Sequence, residues 1–361
     1  MKITSLVLSS LSVLPLASAL PATRRQASCT AANAIQRKEY SDLTTDEKLA
    51  FISAVKCVQS LPSRFAPGEI PASENLFDDF TAVHIDLSLS IHLSGTFLSW
   101  HREYLRLLET VMHEQCGYPA GLGIPYWQWT KYSAATLELS PIFDGSETSL
   151  GSNGSPDPNG KPYELTPGVF VPHGTGGLCV ERGPFANTTV RFGPYPNSAI
   201  LTGLPANWTQ PNPRCLTRDI NPTIIGGFLN AARIAQLQAS ENIAVFQERL
   251  TPNTATASGG LGAHRSGHIA IGMPMMDFFA SPQDIVFFLH HAEVDRQWSM
   301  WQDADESRRF SYNGTSTVLN PVGVTPEVSN STVITFGVLG DDMTLEEVAY
   351  INQGRYCYQY V

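Results

Sequence analysis

The chain has 361 residues, 42% of them hydrophobic and 10% aromatic, with a formal net charge of −10. Its length permits two domains. The acidic balance, with no basic run beyond Arg24-Arg25 and Arg308-Arg309, argues against nucleic acid and anionic membranes as partners.

The first 19 residues begin Met1-Lys2, continue through Leu, Val and Ser, and end Ala17-Ser18-Ala19, the small-residue pattern of a cleaved signal peptide. Residues 20–25 then read as a propeptide ending at the dibasic Arg24-Arg25, so the mature chain is expected to span 26–361. No other stretch approaches the roughly 20 apolar residues of a membrane helix. Six cysteines (Cys29, Cys57, Cys116, Cys179, Cys215 and Cys357) form an even set with no Cys-x-x-Cys, which in an exported chain favours up to three disulfides over metal thiolates. Sequons at Asn153, Asn187, Asn207, Asn313 and Asn330 mark surface loops and a glycoprotein.

Thr44-Thr45-Asp46-Glu47 before Leu49, Phe51, Ile52, Val55 and Val58 predicts a capped amphipathic helix. Residues 75–90 predict a second helix, with Phe77, Phe80, Val83 and Leu87 at helical spacing around His84. His92 and His101 would lie on opposite sides of one straight helix, because nine residues at about 100° each separate them. Ser94 and Gly95 offer the break, so His92 is expected at a helix end and His101 at the start of a new helix, from Trp100 to about Glu114. The interval from Pro141 to Pro222 holds 13 of the 25 prolines and reads as a long irregular segment, which Cys179 and Cys215 could pin; a short strand is expected at Val169 to Val171.

Helical pattern returns over Thr223 to Leu250, and the next helix carries His264 and His268 at i and i+4, facing one side. A strongly apolar helix from Asp284 to Trp301 carries His291 and Asp295 at the same spacing. His101 and His264 are 163 residues apart, so the two sets of three histidines share a site only if both halves pack into one core. The expectation is a single, mainly α domain: a four-helix bundle core holding a dinuclear metal site, with long irregular loops and a few short strands. Imidazole suits copper, zinc or iron. No carboxylate sits at ligand spacing in either trio, which disfavours the two-histidine-one-carboxylate iron site and hard magnesium or manganese sites, and a dioxygen-binding copper pair fits six nitrogen donors best.

His92, then Phe97-Leu98-Ser99-Trp100-His101-Arg102, Leu105 and Glu109 resemble the first copper-binding signature of tyrosinases, catechol oxidases and haemocyanins. Asp284, Phe287, Phe288, His291 and Asp295-Arg296 resemble the second, preceded by Gly262-x-His264-x-x-Gly267-His268. The chain is similar to short fungal type-3 dicopper polyphenol oxidases over roughly Cys57 to Tyr358. That resemblance implies two copper ions, one held by His84, His92 and His101, the other by His264, His268 and His291. It implies oxidation of o-diphenols by dioxygen to o-quinones, with o-aminophenols and some monophenols as further candidates, and no catalytic side chain beyond the metal ligands. Tyr356-Cys357-Tyr358 matches the Tyr-x-Tyr element that ends the family's core, so no C-terminal lid domain is expected.

Departures from the family pattern are equally specific. Ser90 stands where some relatives carry a cysteine joined to the second histidine, so no thioether is expected. Arg265 follows the first histidine of the second set, Gly272-Met273 replaces Gly-Gly, and Ile285 replaces a proline. The run before Gly259 offers no carboxylate matching that of phenol-hydroxylating relatives; these changes weigh against monophenol hydroxylation. Phe278 falls where a bulky residue gates the site, and Asp295 is expected to orient a ligand imidazole through its other ring nitrogen. His113, His173 and His290 read as ordinary core or surface histidines; His290 would face away from the metals. A dioxygen- or copper-binding protein without turnover, or a tailoring phenol oxidase of secondary metabolism, are the alternative readings. Oligomeric state is left open.

Overall fold

A computed structural model describes residues 28–166, 168–252, 260–319 and 326–361. The expected signal peptide and propeptide lie outside the described residues, as does most of the run before Gly259.

Local sequence sets most helix starts. α1 (Thr45–Val58) opens on the expected capping box, in which the Thr44 side chain accepts from the Glu47 amide and Glu47 reaches back to the Thr44 amide. α2 (Leu76–Ile91) is capped by Asn75, with Asp78 and Asp79 in its first turn. It ends at His92, where the backbone is extended, and α3 (Phe97–Gln115) begins five residues on. The short α4 (Ala199–Thr202) lies in the proline-rich interval. The expected helical run over 223–250 is three helices: α5 (Pro222–Phe228), α6 (Ala231–Gln238) and α7 (Ile243–Leu250). Asn221, Asn230 and Asn242 each cap the helix that follows, so side-chain oxygens restart the chain where apolar spacing alone reads as continuous. α8 (Ala263–Ile271), α9 (Val286–Asp303) and the single-turn α10 (Leu345–Val348) complete the helices among the described residues.

Strands are short and paired in twos. β1 (Ile35–Arg37) runs parallel to β10 (Tyr358–Tyr360), which with the Cys29–Cys357 disulfide fastens the two ends of the described chain together. In the irregular interval, β2 (Gly154–Pro156) pairs β5 (Gly177–Val180), β3 (Tyr163–Thr166) pairs β4 (Val169–Val171), and β6 (Thr189–Val190) pairs β7 (Arg214–Cys215). Cys179–Cys215 pins that interval as expected, and Cys57–Cys116 ties α1 to the end of α3.

α2, α3, α8 and α9 form the centre. α3 lies against α9 through a stack of rings: Trp100 on Tyr104 at 4.6 Å between centroids and Tyr104 on Phe288 at 5.5 Å, with interplanar angles of 24° and 14°. Phe80 of α2 packs edge-on to both Tyr104 and Phe288, which locks the three helices around one aromatic layer. α8 approaches α9 closely because Gly267 has no side chain; a Cβ there would lie 2.0 Å from the His290 ring. Gly267→Ala is therefore expected to cost about 1–3 kcal/mol through overpacking. Gly227→Ala in α5, where a Cβ meets nothing within 4 Å, is expected to gain about 0.5–1 kcal/mol from helix propensity. Urea midpoints of the two variants test this, and equal shifts would contradict it.

Candidate metal centre

Six histidines come from the four central helices. His84 lies within α2, His92 at its end, His101 within the second turn of α3, His264 and His268 on one face of α8, and His291 in α9. Five are buried; His268 alone is part-exposed. His84, His92 and His101 have ring centroids 4.8–5.7 Å apart, and His264, His268 and His291 4.7–5.3 Å apart. The two trios face one another across a single space, where His101 stacks on His291 at 4.3 Å.

Hydrogen bonds on one side of each ring decide what the other side presents. The Nδ1–H groups of His84, His92, His101 and His268 donate to the carbonyl oxygens of Phe279, Ser88, Phe97 and Met275 at 2.6, 3.1, 2.9 and 2.8 Å. A carbonyl only accepts, so these bonds fix the tautomer and leave a lone pair on each Nε2. His264 Nδ1 meets the Thr251 hydroxyl at 2.9 Å. His291 Nδ1 has no hydrogen-bond partner; its ring is held by stacking on Phe287 at 4.1 Å and on His101.

The Nε2 atoms therefore point at each other. Those of His264, His268 and His291 lie 3.0–3.3 Å apart, and those of His84 and His101 are buried without a partner. Burial, together with the neighbouring imidazoles, holds the values of His84, His101, His264 and His291 well below the ordinary histidine range. Burial likewise pushes His92 down to about 3 and His268 to about 4. The buried Nε2 atoms of His84 and His101 lack any protein donor, and those of the second trio crowd within 3.3 Å of one another, an arrangement that a cation between them satisfies. The donor set thus fits two metal ions, and three imidazoles around each suit copper.

His290 is placed differently from its expected outward-facing position. It is buried and its ring stacks on His264 at 5.4 Å, so its nitrogens join the second histidine group, all within 4.8 Å of one another. Its Nδ1 accepts the Trp129 indole N–H at 3.0 Å. Indole only donates, so the proton of His290 resides on Nε2, which has no lone pair left for a metal.

Asp295 does not touch an imidazole, which corrects the expected orienting role. Its buried carboxylate binds Arg102 Nε at 2.6 Å, Arg37 at 3.3 Å and the hydroxyls of Tyr358 and Tyr360. Burial opposes its charge, but Arg102, Arg37 and the two tyrosines outweigh that and hold it below the ordinary carboxylate range. The functional Tyr-x-Tyr is thus 358–360, two residues later than the sequence match, and Tyr356 binds Glu103 instead. Arg296 pairs with Glu293, and Glu109 with Arg37.

Phe278 lies 4.7 Å from the His92 ring and is part-exposed. Sequence reasoning missed the residue that sets it there. Buried Asp277 accepts from the amides of Phe279, Ala280 and Tyr195, fixing the turn that presents both Phe278 and the carbonyl that holds His84. An Asp ahead of two amides is the signature of such a turn. Thr251 and Trp129 gave no signal, because their partners are remote or lie beyond a helix start.

A helical core that presents two facing groups of inward histidines defines a dinuclear metal protein. A family model, the common central domain of tyrosinase, matches residues 74–304. Tyrosinase P of Aspergillus terreus is 41% identical over 332 residues, covering 90% of this chain and 91% of that protein. N-acetyl-6-hydroxytryptophan oxidase of Emericella nidulans is 40% identical over 347 residues, covering 92% and 93%. Among solved structures, a variant of the polyphenol oxidase from Thermothelomyces thermophila superimposes with a TM-score of 0.84 at 36% identity, covering 92% of this chain and 90% of that one. The chain belongs to the tyrosinase family, and is a copper-dependent oxidase with a dinuclear copper site.

Two outcomes test the geometry. Asp295→Asn should cost about 3 kcal/mol or more, since it leaves buried Arg102 without its carboxylate and Arg37 with Glu109 alone; a change under about 0.5 kcal/mol in the unfolding free energy from urea titration would contradict the network. In the metal-free protein the lowered histidines mean that the unfolded chain takes up protons first as pH falls below its ordinary value of 6.5. Stability is therefore fully present above about pH 7 and is lost progressively as pH drops through 6.5 toward the folded values of about 4 and 3. A flat stability profile across that window would contradict it.

Proposed function

We propose that this oxidase acts on small o-diphenols, with His84, His92 and His101 holding one copper and His264, His268 and His291 the other. A copper pair, when bound, supplies the redox capacity to couple oxidation of two o-diphenols to two o-quinones with reduction of one dioxygen to two waters. The protein's part is placement. Four carbonyl clamps, the Thr251 hydroxyl and ring stacking on Phe287 orient the six imidazoles, and the absence of acidic donors in either trio leaves the charge of the metals uncompensated there, which favours a phenolate oxygen. Phe278 on one flank restricts the ring that enters. The observation that carries this reading is the stack of His101 on His291 at 4.3 Å, which supports one shared site for the two trios.

The names of relatives favour a tailoring role within that chemistry. One is an N-acetyl-6-hydroxytryptophan oxidase, and a second, 42% identical over 290 residues, is an oxidase from Aspergillus hancockii. Action on a larger, substituted phenol is accordingly the finer form of the proposal. Export is part of it too: the leader-like first 19 residues and three disulfides support an oxidising compartment, and no helix among the described residues is long and apolar enough to cross a membrane. Amino-terminal sequencing of protein recovered from culture medium checks it; a chain retained in cells and beginning at Met1 would count against it.

Metal analysis combined with oxygen uptake tests the activity. The native chain should carry two coppers and consume oxygen with catechol, and His268→Ala should fall toward one copper and lose quinone formation. Undiminished uptake with a single copper would overturn the paired site. Reversible dioxygen binding with no uptake over any phenol would leave only the non-catalytic reading.

A further inference from the structure

Where water reaches the copper cavity is readable from exposure. His268 is the one histidine of the six not fully buried, and Phe278 beside His92 and Arg265 on α8 are likewise part-exposed. Arg265 follows His264 directly and precedes His268 by three residues, so it shares the α8 face on which His268 opens.

Arg265 differs from the three fully buried arginines. Arg37, Arg102 and Arg218 each hold a carboxylate partner, Glu109 and Asp295 for the first, Asp295 for the second and Asp284 for the third. Among the described residues, Arg265 makes no side-chain hydrogen bond, ion pair or ring contact. Nor can a residue outside the described set supply the missing charge, since 1–27, Pro167, 253–259 and 320–325 contain no Asp or Glu. A guanidinium offers five donors in a fork that matches a carboxylate, and that of Arg265 is part-exposed and holds no protein carboxylate. Beside it, neutral imidazoles leave the metals' positive charge uncompensated.

We propose that Arg265 recognises a carboxylate on the phenolic substrate, so that the preferred substrates of this chain are anionic o-diphenols whose acidic substituent sits at the cavity mouth while the hydroxyls face the metals. The inference rests on the oxidase reading above. It requires no change in the chemistry; Arg265 contributes binding and orientation, and it acts chiefly through KM.

The test compares 3,4-dihydroxyphenylpropionate with its methyl ester on the copper-loaded native chain, Arg265→Gln and Arg265→Lys. The native chain should favour the acid by about tenfold or more in kcat/KM, the scale of one charge-assisted contact. That preference should collapse toward unity in Arg265→Gln, recover in part in Arg265→Lys, and weaken with added salt in the native chain. Calorimetric binding of 3-phenylpropionate and its amide, neither of which can be oxidised to a quinone, reads the same site without turnover. The acid should bind more tightly than the amide to the native chain, and about equally to Arg265→Gln. Equal handling of acid and ester by the native chain, or a preference unchanged in Arg265→Gln, overturns the role of Arg265 while leaving the oxidase intact. Absence of oxidation of either catechol overturns the oxidase reading instead, and the calorimetric pair then still decides whether Arg265 selects a carboxylate.

Discussion

Everything at the centre of this protein follows from which ring nitrogen is spoken for. Four main-chain carbonyls and one hydroxyl occupy the Nδ1 side of five imidazoles, and stacking holds the sixth. The Nε2 lone pairs then have nowhere to point except at each other. That arrangement is unfavourable as bare protein and favourable around cations, so folding energy from the surrounding aromatic core is used to hold a site that metal binding then relieves. Peptide carbonyls are well suited to the task, because they are fixed by the helices and turns that bear them and cannot swing away as a carboxylate side chain can.

A second buried cluster secures the helix carrying His291. Asp295, one turn beyond it, gathers Arg37 from β1, Arg102 from α3 and the hydroxyls of Tyr358 and Tyr360 from β10. Arg102 also donates to the carbonyl of Ala349 at 2.7 Å, tying in α10. The cluster thus joins the beginning, middle and end of the described chain to the face of α9 next to the metal ligands. Each charge in it is matched, which distinguishes it from the unmatched guanidinium of Arg265 at the cavity mouth.

Much of this was legible in the sequence because the signals are local. The Thr44 capping box, the break at Ser94-Gly95 between His92 and His101, and the i and i+4 pairing of His264 with His268 are all matters of helical period and termini. What was not legible depends on partners far along the chain. The spacing of Asp295 from His291 implies a shared helix face, but its real partners come from Arg37, 258 residues away, and from β10. The Tyr-x-Tyr register was misplaced by two for the same reason, since only the packing shows which hydroxyls reach Asp295. The run over 223–250 looked continuous because apolar spacing survives across Asn230 and Asn242, whose side chains end one helix and cap the next. The turn of His290 toward the second trio left no local signal, because Trp129, which anchors it, lies 161 residues earlier.

X-ray absorption together with anomalous diffraction on copper-loaded crystals examines the convergent Nε2 atoms most directly. Two copper peaks about 3.5–4 Å apart, one ligated through Nε2 of His84, His92 and His101 and the other through Nε2 of His264, His268 and His291, are the expected result. A single copper, ligation through Nδ1, or His290 replacing His291 at the second metal would contradict it.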